Sequence, residues 1–181
     1  MGAMMWLTED QQATWRAFLH ATTLLDDHLD RQLQRDAGIP HMYYALLSTL
    51  SEAPERRMRM TELAEQAKIT RSRLSHAVTR LERNGWVRRE DCPMDRRGQL
   101  CVLTDAGYDE LVRIAPGHVT AVMAAVFERL TPEQSRQLGQ ISRIIAGPAP
   151  CRRRGRALAA LSGAGPAAGR HRPVNTVNTA S

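Results

Sequence analysis

A mainly α fold with a small β component, about six helices and one β-hairpin, is predicted from three features of the chain. Residues 61–104, TELAEQAKITRSRLSHAVTRLERNGWVRREDCPMDRRGQLCVLT, contain two short helical patterns split by a turn, then two β-prone runs around a basic loop. The segments on either side repeat apolar residues every three or four positions, the spacing of one helix face. Positive charge is also segregated: Arg56 to Leu103 holds 12 Lys and Arg against 6 Asp and Glu, and residues 147–181 hold 6 Arg and no acid.

Residues 1–7 carry no helical pattern and read as a flexible N-terminus. Thr8-Glu9-Asp10-Gln11 is a capping-box sequence. It opens a segment in which Trp15, Phe18, Thr22, Leu25, Leu29 and Leu33 recur at helical spacing, a helix about 40 Å long if it reaches Ala37. Pro40 can start a second helix with Met42, Ala45, Leu46, Thr49 and Leu50 on its apolar side. Thr61 is placed to cap a third, with Leu63, Ala64 and Ala67 inward and Glu62 and Glu65 where a helix N-terminus favours negative charge. Lys68 and Ile69 make a short connection, and Thr70 caps a fourth helix with Leu74, Val78 and Leu81 inward. That leaves Arg71, Ser72, Arg73, Ser75, His76, Thr79, Arg80 and Arg83 outside, a short-armed basic face.

Asn84-Gly85 stops this helix, because glycine takes the left-handed cap conformation without a steric cost. The runs 86–89 and 100–103 are the expected strands, joined by a loop over 90–99 with Pro93 and Gly98 as turn formers. Thr104 caps the next helix through Leu111, Ile114 and Ala115. Pro116-Gly117 is expected to kink or interrupt it before Val119, Val122, Met123, Val126 and Phe127 continue. Thr131-Pro132-Glu133-Gln134 combines a cap, an N1 proline and a capping-box glutamine ahead of Leu138, Ile141, Ile144 and Ile145.

Two short helices, a turn between them and a hairpin with a basic tip make the layout of a winged helix-turn-helix. A basic patch of this kind is the electrostatic footprint of a phosphate backbone, so double-stranded DNA is the expected partner. The chain divides into a domain over 8–146 and a basic Ala-, Gly-, Pro- and Arg-rich tail over 147–181, which is expected to be disordered. The tail arginines either add non-specific DNA affinity or only aid solubility. Within the domain a DNA-binding lobe spans about 55–104 and dimerisation helices span about 8–37 and 105–146. The two terminal stripes offer more apolar surface than one chain can bury, which points to a homodimer with its recognition helices about one DNA turn apart.

Leu63-Ala64, the run SHAVTRLERNGWV over 75–87, the wing DCPMDRRG over 91–98 and Leu103-Thr104-Asp105-Ala106-Gly107 together resemble the MarR family, the multiple-antibiotic-resistance type of bacterial transcriptional regulator. The resemblance covers about residues 8 to 146 in layout. It implies a homodimer on a pseudo-palindromic site, most often a repressor, with a recognition helix in each major groove and a wing in the adjacent minor groove. It also implies a small aromatic effector in a crevice between the dimerisation helices and the winged lobe. Trp15, Leu19, Met42, Tyr43, Tyr44, Met58 and Met60 are the candidate lining, although Met and aromatic residues at helical spacing also build plain core.

Arg71 and Arg73, with Ser72, Ser75 and His76 beside them, are placed to reach base edges. Arg73 is the first choice, since a guanidinium donates two bonds to guanine O6 and N7. Thr79, Arg80 and Arg83 further along, and Thr61 and Thr70 at helix starts, suit phosphates. In the wing the resemblance implies that Asp95 braces an arginine entering the minor groove; Arg97 is the first candidate and Arg96 the second.

Other function classes find little support. The chain shows no phosphate loop, no G-x-S-x-G, no H-E-x-x-H and no cysteine in a catalytic setting, so an enzyme is not expected. Cys92, Cys101 and Cys151 lack C-x-x-C spacing, and His20, His28, His41 and His118 are scattered, so no metal site and no cofactor are expected. The sequence has no N-terminal hydrophobic signal segment and no apolar run near the ~20 residues of a membrane span, so a cytoplasmic protein without a membrane partner is expected. The competing reading is a winged-helix module that binds DNA without sequence preference, or binds protein.

Overall fold

A computed structural model describes residues 6–92 and 95–147, with 95–97 as backbone. The expectations for residues 1–5, the hairpin tip at 93–94 and the tail from 148 lie outside the described residues. Six α-helices and a three-stranded antiparallel sheet follow in the order α1 (Glu9–Ala37), α2 (His41–Glu52), β1 (Arg57–Arg59), α3 (Met60–Gln66), α4 (Arg71–Arg83), β2 (Val87–Cys92), β3 (Asp95–Leu103), α5 (Asp105–Ala125) and α6 (Pro132–Ala146). Single 3₁₀ turns, Pro54–Arg56 and Phe127–Arg129, precede β1 and follow α5.

The capping signals act as their chemistry requires. Thr8 and Thr131 each accept a bond from the N3 backbone N–H of Gln11 and Gln134, and each glutamine side chain accepts from the cap residue's N–H in return. Thr70 accepts from Arg73 N at 3.2 Å and sets the start of α4. The far end of α4 closes with two bonds, Gly85 N–H to Glu82 O and Trp86 N–H to Leu81 O, with Gly85 at φ 72°.

The winged lobe surrounds one core. Leu46, Leu47 and Leu50 of α2, Leu63 and Ala64 of α3, Leu74, Ala77, Val78 and Leu81 of α4, Val87, Cys101 and Leu103 of the sheet, and Leu111 of α5 are all buried in it. A smaller cluster of Leu33, Ile39 and Ile114 joins α1 to α5, and Trp86 and Tyr44 pack against both.

Five expectations are corrected. Arg59, not Thr61, is the residue before α3, which starts two positions early because β1 delivers the chain there; Thr61 sits in its exposed first turn. The sheet has a third strand, β1, paired with β3 through Arg57↔Val102, Met58↔Cys101 and Arg59↔Leu100. The expected long loop over 90–99 is mostly ladder, with pairs as far as Asp91↔Gln99 and a bulge before Cys92↔Asp95. On α2 it is Leu47 that is buried, and Ala45 is exposed. Pro116 does not interrupt α5, which runs unbroken to Ala125. Consequently Asp105–Arg129 is long and apolar enough, by length and composition alone, to cross a membrane, a run that the sequence reading did not expect. Its inward residues Gly107, Leu111, Ile114 and Ala115 are buried in this fold.

The apolar stripes of the terminal helices do not fold back on the lobe. In α1 only Leu29, Gln32 and Leu33 are buried, all near its end, while Trp15, Phe18, Leu19 and Leu24 are exposed. No residue of α6 is buried, and Ile144 is 79% exposed.

The crossing of the α4–β2 turn with the start of α5 depends on Gly107. A Cβ there would lie 2.0 Å from the Trp86 carbonyl oxygen, a backbone atom that cannot swing away. Gly107→Ala is therefore expected to destabilise the fold by about 3 kcal/mol, the cost of severe overpacking. Gly85→Ala, with open space around its Cβ but a positive φ, is expected to cost only about 1 kcal/mol. Urea denaturation of the two variants checks the order.

Candidate nucleic-acid interface

The outward face of α4 is the most concentrated run of uncompensated charge in the lobe. Arg71, Ser72, Arg73, Ser75, His76, Arg80 and Arg83 are all exposed. Among the described residues no carboxylate pairs with Arg71, Arg73, Arg80 or Arg83. Nearby arginines differ: Arg56 bonds Asp105 at 3.2 Å, Arg57 bonds Glu55, Arg88 bonds Glu90 and Arg89 bonds Glu82. Arg71 and Arg73 occupy the first turn of α4, where the unpaired N–H groups and the macrodipole also favour an anion. Thr61 is exposed on α3, whereas the Thr70 hydroxyl oxygen is occupied in part by its cap bond.

Thr79 lies differently from the rest. It is half-buried, its hydroxyl donates to Ser75 O at 2.9 Å, and its oxygen accepts from Arg89 Nη2 at 3.1 Å. Asp95, Arg96 and Arg97 fall on the first residues of β3, immediately after the tip; their side chains lie outside the described residues. Cys92 is buried on β2.

Of the seven candidate effector-lining residues, Met42, Tyr43, Tyr44, Met58 and Met60 pack together against the lobe core. Trp15 and Leu19 do not join them; they sit on the exposed part of α1, with Trp15 stacked on Phe18 at 6.0 Å between ring centroids.

A polar cluster that local sequence signals could not reveal lies where α1, α2 and α5 meet. His41 of α2 and His118 of α5, 77 positions apart, approach to 5.5 Å between ring centroids, and the Tyr44 ring lies 4.2 Å from His118. His118 is buried and donates from Nδ1 to Gln32 Oε1 at 3.2 Å, while Gln32 Nε2 donates to Asp36 at 2.8 Å. His41 bonds Asp26 through Nδ1 at 3.0 Å, and its backbone N–H donates to Asp30 at 2.8 Å. Burial, reinforced by the neighbouring His41, pushes His118 down to about 4, and burial raises the Tyr44 phenol. Among the described residues no group of three or more His, Cys, Asp or Glu is arranged to hold a metal ion.

The lobe, from the end of α1 to Gly98 in the wing, is the part matched by a family model: residues 37–98 fit the MarR family. Sco3205 of Streptomyces coelicolor, a MarR family transcriptional regulator solved in complex with DNA, is 64% identical. The match covers 82% of this chain and 95% of that one, with a TM-score of 0.76. The chain belongs to the MarR family. AbsC, another MarR family transcriptional regulator of Streptomyces coelicolor, is 39% identical over 79% of this chain and 96% of its own, with a TM-score of 0.73. YkoM, an HTH-type transcriptional regulator of Bacillus subtilis, is 26% identical over 68% of this chain and 78% of its own.

In this MarR-family chain α4 is the recognition helix and the β2–β3 hairpin is the wing. Sequence reasoning placed both but missed the bonds of Arg89 to Glu82, Ser75 and Thr79 and the meeting of His41 with His118.

The His118 site makes stability depend on pH. Its folded-state value lies below that of a free imidazole, so the neutral form is favoured in the fold. The stabilisation is complete above about pH 6.5 and declines as pH falls towards about 4. Denaturant titrations at pH 7.5 and 4.5 are expected to show a loss larger by roughly 2 kcal/mol in the native chain than in His118→Asn, which has no imidazole to charge.

Proposed function

We propose that this DNA-binding transcriptional regulator acts as a homodimeric cytoplasmic repressor of a pseudo-palindromic promoter site. The observation that carries the reading is the set of arginines on the exposed side of α4 with no carboxylate partner among the described residues, in a lobe where Arg57, Arg88 and Arg89 of the sheet are paired with carboxylates. One recognition helix enters each major groove, Arg73 and Arg71 at its N-terminal end read base edges, and Arg80 and Arg83 hold phosphates. The wing follows the backbone to the minor groove, where Arg97, with Arg96 beside it and Asp95 as its brace, supplies the cation that a narrow groove attracts. Two relatives support the reading: Sco3205 was solved bound to DNA, and YetL of Bacillus subtilis is named a transcriptional repressor, 29% identical over 54% of this chain and 58% of its own.

The dimer is supported by apolar surface left open on three helices: Trp15, Phe18 and Leu19 on α1, Met123 on α5, and Leu138, Ile141, Ile144 and Ile145 on α6. Large apolar residues exposed in this number along three helices are what a protein interface would cover. A small aromatic effector at the junction of α1, α2 and α5, against Tyr43, Tyr44 and Met42, would change the angle between dimer and lobe and release DNA.

Selection of bound fragments from genomic DNA, followed by footprinting at physiological salt, is expected to give an inverted repeat with half-sites about one helical turn apart. Uniform, salt-labile protection of all DNA would instead establish a packaging or protein-interaction module. On the selected site, Arg73→Ala and Arg97→Ala are each expected to weaken binding more than tenfold with the dimer unchanged in sedimentation equilibrium. Ile141→Glu combined with Ile145→Glu is expected to shift the chain from dimer to monomer in the same measurement.

A further inference from the structure

Arg89 stands at the centre of a bond network that belongs to neither the core nor the exposed DNA face. Its backbone N–H donates to Glu82 Oε1 at 3.0 Å, and its guanidinium bonds the other oxygen of the same carboxylate. The second arm of the fork donates to the Ser75 carbonyl at 3.0 Å and to Thr79 Oγ1 at 3.1 Å. Ser75, Thr79 and Glu82 lie four and three positions apart, so one side chain of β2 is fastened along two turns of the recognition helix. Both partners of the ion pair are largely sheltered from water, Arg89 at 22% and Glu82 at 27% side-chain exposure, which separates them from the solvent-facing pairs of the lobe. Cys101, the cross-strand neighbour of Arg89, has its thiol pushed up to about 12 by burial and by Glu82, so it offers the arginine no competing anion.

We propose that Arg89 is a positioning residue for operator recognition, locking the wing to the recognition helix through Glu82 without touching DNA itself. It rests on the reading of this chain as an operator-binding protein. The helix and the wing address different grooves, so their relative angle decides whether both fit one site at once. The hydrophobic core fixes α4 beneath the sheet, but the strand beyond Val87 leaves that core, and Arg89 is the first residue past it with bonds back to α4. Thr79 is drawn into the same network through its hydroxyl, which removes it from the set of phosphate contacts.

Two variants separate this role from a direct phosphate contact. Arg89→Lys keeps the charge and loses the fork; operator affinity is expected to fall at least tenfold, while the slope of log affinity against log salt and the binding of unrelated DNA stay unchanged. A phosphate contact would instead lose little on that substitution. Glu82→Gln discriminates by sign. Removing the carboxylate frees Arg89 and adds net positive charge, so a phosphate-contacting Arg89 would bind DNA equally well or more tightly, whereas the positioning role predicts a five- to tenfold weaker operator complex. Equal or tighter operator binding by Glu82→Gln overturns the proposal.

Hydrogen exchange on the free full-length chain gives a readout that needs no DNA. Glu82→Gln is expected to speed exchange at the Arg89 amide and its β2 neighbours while α4 and α5 keep their protection; unchanged β2 exchange also overturns the proposal. Should the native chain protect no discrete operator, the repressor reading falls, and with it operator positioning, while the exchange result still decides whether this pair couples wing to helix.

Discussion

The fold turns on one backbone crossing. Trp86 leaves the end of α4 and presents its carbonyl to the Thr104 N–H at 3.0 Å, and the Thr104 hydroxyl donates to Gly85 O at 2.7 Å while accepting from Gly107 N–H. Gly107 passes directly over Trp86 with no room for a side chain. Three roles therefore meet within a few residues: the stop of the recognition helix, the start of the wing and the first turn of α5. Rotation of the lobe on α5 would break these hydrogen bonds and drive Gly107 into the Trp86 backbone, so backbone sterics as well as side-chain packing set its orientation.

The same crossing explains how much could be read from the sequence. Helix starts were legible wherever a side chain caps its own turn, as at Thr8, Thr70, Thr104 and Thr131, because that chemistry is local. Thr61 misled because the residues before it form β1, a three-residue strand with no alternation of its own that exists only through pairing with β3 some forty positions later. The charged stretch after Arg89 resembled loop for a related reason. Glu90 pairs with Arg88 and Asp91 is exposed, so ladder formation left no hydrophobic signature there. Pro116-Gly117 was expected to kink or interrupt α5, yet the helix continues to Ala125 with one backbone donor fewer, its first half anchored through Leu111 and Ile114 in the two core clusters.

Charge was legible as a total and not as a role. Arg71, Arg73, Arg80 and Arg83 stand unpaired among the described residues on one helix face, while Arg56, Arg88 and Arg89 are committed to carboxylates. Arg56 also lies over the Tyr108 ring at 3.8 Å, stitching the turn before β1 to α5. A count of basic residues merges these two populations. Only the tertiary pairing shows which cations remain available to a polyanion and which hold the lobe together, and the exposed helix face is where the available ones gather.

Helix α5 connects the two halves of the argument. Its first half, through Leu111, Ile114 and Ala115, is built into the lobe and the α1 cluster; from Val119 onward it presents Val119 and Met123 to the outside, followed by Phe127 in the next 3₁₀ turn. The change of surroundings falls at His118, which is buried against Tyr44 and Gln32 beside His41. The helix runs unbroken through Pro116, so one element spans from Gly107 in the lobe to the exposed residues beyond His118. The outer half, the histidine junction and the start of the lobe thus follow one another along α5. The junction of α1, α2 and α5 and the crossing at Trp86 and Gly107 are therefore built on one continuous helix.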